Sequence, residues 1–578
     1  MGRVISWRGA MWAYCGLVVA PGAPAYAAAP TYVDDVAEIV YRNCVRCHRP
    51  DGAAARVPLD SYEAVKLKAR EVRAKVESGA MPPWPADPMQ SLPMKNDSRM
   101  TPEDIGKILT WIDAGTPRGG DDDLPPQAGY KSGWLHPDDR PPDVVFSLPK
   151  FSVRANGTIP YIKQLIKVPY ESDKWISALQ VRAGNSRLLH HMGVTEVALP
   201  DGMTPEMLDV MDTLASQIGA PSSKAQMEQP AVVDPANPGA YDMLGVYTPG
   251  TTFETYSEGN GKLLKGGKNV YLNFNIHYTT TGHEESDLSQ LGIWFQPTPP
   301  EHVLYRAATA VDSIVANGRE LLADDPGTKA EGTGYALPPI PANGENYELI
   351  GLKAYRSPIT IYQLQPHAHM RAVSFRYTAI YPDGHEQVIL SVPHYDYHFQ
   401  LEYVLATPLV LPAGTKLIVW GRYDNSTNNG QLRNLGTNDA ARLCGPENVA
   451  FFGQQNQSWD EMFTPLIQYS VNGRPADQLG LVSVAGCLVH KPSEQWRLGH
   501  GSEAMSTSTQ GTSSTELTIN SAVPFGTRQY DLLGIDVFNP AQRVGNKVVV
   551  KGVLISTPHG DRINVTSLQP TPSPCPNE

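Results

Sequence analysis

The sequence predicts a multidomain protein that is mainly β-sheet, preceded by a small all-α unit. Three observations carry this. The chain has 578 residues, several times one usual domain, so three or four folded units are expected. Gly 50 and Pro 51 are high, and short runs rich in Val, Ile, Thr and Tyr recur between turn residues. Helical periodicity is concentrated in the first 120 residues. A net charge of −12 with no basic cluster offers no Lys/Arg-rich face to phosphates, which excludes nucleic acid as a partner.

Residues 1–27 have the pattern of an export signal. Arg3 and Arg8 make a basic start, Gly16-Leu17-Val18-Val19-Ala20 is apolar, and Ala25-Tyr26-Ala27 offers a small-residue cleavage site. The segment is too short to span a bilayer, and the bulky Tyr14 argues against a lipid anchor on Cys15. The expectation is a periplasmic or secreted chain starting near Ala28, with no stable membrane insertion. In an oxidising compartment Cys444, Cys487 and Cys575 can form a disulfide. Joining Cys487 to Cys575 would staple the first strand of the last module to the tail, while pairings through Cys444 stay open.

Within residues 28–120, Cys44-Val45-Arg46-Cys47-His48 is the attachment signature of a c-type haem. Two thiols at this spacing reach the two vinyl groups of one porphyrin, and the adjoining imidazole falls under the iron. Met81, in Met81-Pro82-Pro83-Trp84 after a helical stretch from Ser61 to Glu77, can supply the distal thioether, with Met89, Met94 and Met100 as rivals. Met/His ligation suits electron transfer. Thr101-Pro102-Glu103-Asp104 carries helix-start signals, and Ile105, Ile108, Leu109 and Ile112 make one apolar face. Gly115, Gly119 and Gly120 end that helix. The Ser78–Trp84 loop and this closing helix resemble the single-haem cytochrome c domains of exported bacterial proteins. Residues 121–145 are expected as a solvated linker.

Downstream, three histidine motifs and one methionine stand in patterned places: His190-His191, His277 in an alternating apolar run, His367-Ala368-His369, and Met462 after Asp460-Glu461. Residues two apart in a strand share a face, so His367 and His369 can bind one metal from one side of a sheet. Adjacent histidines point to opposite faces, so His190 and His191 can share a metal only at a strand end or a bulge, or through different ring nitrogens. Imidazole suits copper in both redox states, and a thioether favours Cu(I).

In this order the motifs resemble the copper type II, ascorbate-dependent monooxygenases, the family of peptidylglycine hydroxylase and dopamine β-hydroxylase. The resemblance covers about residues 146–470. It implies two jelly-roll β-sandwiches, over 146–300 and 301–474, facing each other across a solvent-filled cleft. It further implies two copper ions: an electron-storing one on His190, His191 and His277, and a catalytic one on His367, His369 and Met462. The implied reaction uses dioxygen and two electrons to hydroxylate a C–H bond of a small organic substrate. With the haem domain in the same chain, electrons from an external donor would reach copper through one covalently attached haem c. The chain departs from the peptidylglycine pattern at Gln365, Phe463, Thr464 and Leu466, which puts a peptidylglycine substrate in doubt. The alternative reading is a non-catalytic haem and copper protein that carries electrons or buffers metal. Residues 475–578 hold short strands around a Ser/Thr-rich loop from Met505 to Thr515 and resemble a small OB-like β-barrel; His490, His500 and His559 are expected at its surface.

Overall fold

The computed structural model describes residues 2, 29–50, 52–120, 124, 133–157, 159–217, 229–236, 242–249, 253–330, 333–433, 439–453, 459–474, 479–490 and 495–576, and all counts below are of these. Residues 1 and 3–27 of the export-signal expectation, and 121–123 and 125–132 of the expected linker, lie outside the described residues. No described helix is long and apolar enough to cross a membrane. The protein is mainly β, with 39% strand and 14% helix, arranged in several sheets and a small five-stranded barrel.

The described residues from 29 to 120 include a helical unit with its own core, in which Tyr32, Val36, Val40, Val65, Ile108 and Trp111 are buried. Its helices are Ala37–Asn43, Tyr62–Leu67, Ala69–Glu77 and Pro102–Asp113. The hydroxyls of Ser61 and Thr101 accept from backbone N–H groups of Ala64 and Asp104, as helix-start caps should. The stretch expected as one helix from Ser61 to Glu77 breaks at Lys68, which leaves helical geometry (φ −103°, ψ 10°).

Two β-units follow, each a pair of packed sheets. In the first, Ile162–Lys167, Val270–Tyr278 and Leu189–Ala198 form neighbouring antiparallel strands. Their apolar face meets a sheet containing Val144–Ser147, Gln290–Gln296, Lys174–Arg182 and Asn260–Leu264. In the second, Ser313–Ala316, Tyr347–Ala354, Lys416–Tyr423, Ala372–Ile380 and Glu386–Val392 lie side by side. They pack on His302–Ala308, Thr464–Val471, Ile359–His367 and Tyr403–Leu411. The two units share one nine-stranded sheet, because Asn260–Leu264 pairs in parallel with His302–Ala308 through His302↔Asn260 and Val303↔Gly261.

Leu481–Val489, Arg497–Gly501, Arg528–Leu533, Gly560–Pro574 and Asn546–Thr557 close into the C-terminal barrel, since the Arg497 strand pairs back onto the Leu481 strand. The barrel core extends onto the outer face of the second unit through Val315, Ile350, Leu352 and Ile418. A disulfide joins Cys487 to Cys575 (Cα–Cα 5.8 Å), and Cys444 is buried and unbonded to another cysteine. The Ser/Thr-rich loop from Met505 contains the start of a helix, Ser514–Ser521, opened by a reciprocal Ser513/Glu516 capping box. His490, His500 and His559 are exposed.

The segments between the units are not free connections. Trp134 and His136 pack against Trp294, and the Trp294 indole N–H donates to the Arg140 carbonyl, so residues 133–143 of the expected solvated linker line the first β-unit. Residues 84–96 form a strap over the second unit. Backbone N–H groups of Asp87 and Leu92 donate to Ser391 and Ile389, that of Lys95 to Val404, and that of Ala406 to Pro93. Trp84 meets Tyr403 edge-on with centroids 5.1 Å apart.

Candidate metal centre

The adjacent histidines are reconciled by a bulge. Along Leu189–Ala198 the register runs His191↔His277 and then Leu189↔Tyr278, so His190 is the extra residue. The bulge lets both rings lie on one side, with His190 Nδ1 and His191 Nδ1 3.0 Å apart. On the partner strand, Leu272, Phe274 and Ile276 enter the core of the first unit, so alternation carries His277 to the opposite face. Ligand atoms of His190, His191 and His277 all lie within 4.8 Å of one another.

The second set comes from the shared sheet. Leu364 enters the core of the second unit, which turns Gln363, Gln365 and His367 to the other face. The strand stops at His367. His369 therefore lies past its end and is held by side contacts: its ring Nδ1 lies 2.9 Å from the Asp460 carbonyl, and its backbone N–H donates to Glu461 Oε2 at 3.0 Å. Glu461 also accepts from the backbone N–H of Arg371, and burial pushes its carboxyl up to about 7 against the opposing charge of Arg371. Arg371 in turn ties Asn425, Trp459 and Cys444 together behind the loop. His367 faces Thr464 in the register, which sets Met462, two residues earlier, beside the chain running from His367 to His369. Met462 is partly buried, and its carbonyl accepts from the Tyr423 hydroxyl.

The two sets do not face each other across a solvent-filled cleft, as the resemblance implies. His191 and His367 have centroids 5.6 Å apart, the same as His367 and His369. The Tyr161 hydroxyl lies 2.9 Å from His191 Nε2 and 3.3 Å from His369 Nε2, and its ring stacks on His277 at 4.6 Å. All five imidazoles gather in one cluster because the units that carry them share a sheet. Burial keeps them neutral: His190 and His367 are lowered to about 4 and His369 to about 3, while His191 and His277 fall well below the usual range. Neutral imidazole is the form that binds a metal.

Hydrogen bonding also selects the free ring nitrogens. His367 Nδ1 sits 2.8 Å from Gln400 Oε1, which makes Nδ1 the protonated nitrogen and leaves Nε2 free. His369 is fixed the same way by the Asp460 carbonyl. Both ring nitrogens of His191 are engaged, Nε2 by the Tyr161 hydroxyl at 2.9 Å and Nδ1 by His190 Nδ1 at 3.0 Å. Tyr161, Tyr397 and Gln400 were not visible as site residues in the sequence. Tyr397 stacks beside His190 at 5.0 Å and places its hydroxyl 3.4 Å from His277 Nδ1. Each stands in an unpatterned loop, and only proximity in the fold identifies it.

The haem motif lies apart, in the helical unit. Cys44 and Cys47 are not joined to each other, and Cys44 N–H bonds the Val40 carbonyl at the end of helix Ala37–Asn43. His48 Nδ1 is 2.8 Å from the Val57 carbonyl, so Nε2 is the nitrogen left for a ligand bond. Two free thiols and an imidazole in this state fit a covalently attached haem. Met81 is partly buried in the loop after helix Ala69–Glu77, its N–H bonded to the Lys75 carbonyl. Of its rivals, Met89 is 90% exposed, Met94 packs on the second β-unit, and Met100 is buried in the helical core.

No family model and no curated protein matches the chain. Among solved structures it is similar to one described as PNGF-II, at 9% identity and a TM-score of 0.20. The alignment covers 56% of this chain and 66% of that one. Likeness at that level establishes neither a shared fold nor a shared activity.

Proposed function

We propose that this chain is an exported copper-dependent monooxygenase that hydroxylates a C–H bond of a small organic substrate, with electrons delivered through its own c-type haem. The observation that carries the reading is the set of five neutral, wholly or partly buried imidazoles drawn from two β-units, three of which bring their ligand atoms within 4.8 Å of one another. In this reading His190, His191 and His277 hold one copper, His367, His369 and Met462 hold the other, and Cys44, Cys47, His48 and Met81 hold the haem. When bound, copper supplies the one-electron steps and the reduction of dioxygen: R–H, O2, two electrons and two protons give R–OH and water.

The chain's own groups position and insulate this chemistry. Gln400 and the Asp460 carbonyl hold the His367 and His369 rings in one tautomer with Nε2 unprotonated, and the Tyr161 hydroxyl would have to yield His369 Nε2 to a metal. His191, His277 and His369 are buried, which strengthens electrostatic interactions around them. Tyr161 places one hydroxyl against rings from both sets and so couples their positions. An uncharged Gln365 stands two residues before His367, which favours an uncharged substrate group over a carboxylate.

The test is a metal count and a product search on the full chain. Two coppers per chain are expected, falling toward one in His190→Ala and in His367→Ala with the haem absorption intact. Under isotopically heavy dioxygen, cell extract treated with native protein should gain a product carrying one heavy oxygen atom. Two bound coppers with no oxygenated product in any extract would favour the electron-carrying alternative.

A further inference from the structure

The helical unit touches the connection that leads into the strand of His190 and His191. The Ser186 hydroxyl donates to the Gly52 carbonyl at 3.1 Å, across 134 residues of sequence. Gly52 closes the turn that follows the haem motif: its N–H bonds the Arg49 carbonyl, and the Ala54 N–H bonds the Cys47 carbonyl. A Cβ at Gly52 would meet that carbonyl at 2.3 Å, so the turn is as tight as the chain permits. Ser186 lies in the connection entering Leu189–Ala198, four residues before His190, and the intervening Leu188 and Leu189 are buried. The Tyr247 phenol, opposite Met192 in the register, is raised to about 12 by burial first, then by Asp287 and Cys47.

Burial raises the Asp396 carboxyl, but the bonds and charge of His398, with a smaller contribution from the charge of Lys75 in the helical unit, bring it below its ordinary value. Asp396 precedes Tyr397, whose ring packs on His190. The strap 84–96 fixes the unit further: Asn96 Nδ2 donates to the Glu402 carbonyl at 2.8 Å, and Asn96 Oδ1 accepts from Val404 N–H at 3.0 Å. The Ser186–Gly52 hydrogen bond and the strap together tie the helical unit to both β-units.

We infer that the Ser186–Gly52 hydrogen bond is the crossing by which electrons pass, within one permanently docked chain, from a haem on Cys44, Cys47 and His48 to a copper on His190, His191 and His277. The inference rests on the function proposed above. With both groups bound, the haem iron would give up one electron, iron(II) to iron(III), and the copper would take it, copper(II) to copper(I), with no atom or proton transferred. Ser186 is a positioning residue, since its hydroxyl connects the Cys47 turn to the backbone that ends in His190.

The experiment uses the full chain loaded with haem and copper(II) under anaerobic conditions. A flash on a ruthenium polypyridyl complex with a sacrificial amine donor puts one electron on the haem, and decay of the ferrous band is followed. The expected decay is first order, independent of protein concentration and of added glycerol. In Ser186→Ala it should slow several-fold, with haem spectrum, haem potential and copper content unchanged, and Ser186→Thr, which restores a hydroxyl, should recover most of the rate. A rate that scales with protein concentration or falls with viscosity, or an undiminished rate in Ser186→Ala, overturns the crossing while leaving a haem-to-copper relay in place. A native haem that stays ferrous beside copper(II) overturns the relay as well, with docking still readable from protected amides in residues 84–96.

Discussion

A histidine presents a defined nitrogen to a metal only when something engages the other one. His367 and His369 satisfy that through Gln400 and Asp460, which lie 33 and 91 residues away in sequence. Spacing of H-x-H and H-H motifs therefore singled out the histidines that the fold brings together, while their supporting partners could not be found, because no local pattern links Gln400 or Tyr161 to them. Replacing Gln400 by Ala should weaken copper binding at the His367 site by about ten- to a hundredfold, as outer partners of metal histidines do. Chelator competition measures it, and an unchanged affinity would remove Gln400 from the site. Two other buried groups lie at the seam with the barrel. Glu320 accepts from Leu568 N–H and is pushed up to about 7 by burial. The folded chain keeps that proton where the unfolded chain releases it, so its contribution to stability is full below the ordinary value of 4.5 and is lost as pH rises through 7. Lys416 donates to the carbonyls of Leu533, Gly534 and Val565, yet burial draws it from 10.5 down to about 7. There the unfolded chain holds the extra proton, so stability rises with pH between those values. Urea midpoints against pH should lose the acid-side fall in Glu320→Gln and the alkaline-side rise in Lys416→Met. Curves parallel to the native one would show that neither group titrates in that window.

At the scale of elements, caps and alternation were legible and interruptions only partly so. Thr101 and Pro102 mark a helix start in any context, and the helix begins there. The His190 bulge was foreseeable because two adjacent rings serving one metal demand a break in alternation. Helix Ser514–Ser521 went unseen: its Ser- and Thr-rich composition is that of a loop, although the Ser513/Glu516 spacing was the available signal. The disulfide was one of several open pairings, since distance between Cys487 and Cys575 is set only once the barrel closes. It ties strand Leu481–Val489 to the tail beyond Gly560–Pro574, and its loss in a Cys487→Ser, Cys575→Ser double variant should destabilise the barrel by roughly 2–5 kcal/mol. Comparison of urea midpoints checks this, and no shift would mean that barrel packing suffices alone.

For the whole molecule, composition and length separated helical from β regions, but nothing in them shows how units dock. Residues 84–96 look like a loop because their bonding partners are strand edges some three hundred residues away. Asn96→Ala removes two hydrogen bonds to strand backbone and should weaken the strap by about 2 kcal/mol. Hydrogen exchange at Leu92 and Lys95 should then quicken while amides in the Ile359–His367 strand stay protected; uniform quickening would mean the whole second unit has loosened instead. The shared nine-stranded sheet was likewise invisible, because it depends on a short parallel pairing between strands that belong to different units. That pairing gives the two histidine sets a common frame of reference. Because His190, His191 and His277 stand on the smaller sheet packed over the shared one, parting the two sets means sliding one sheet across a close-packed core, so reagents bridging the two sets should capture a narrow range of spans.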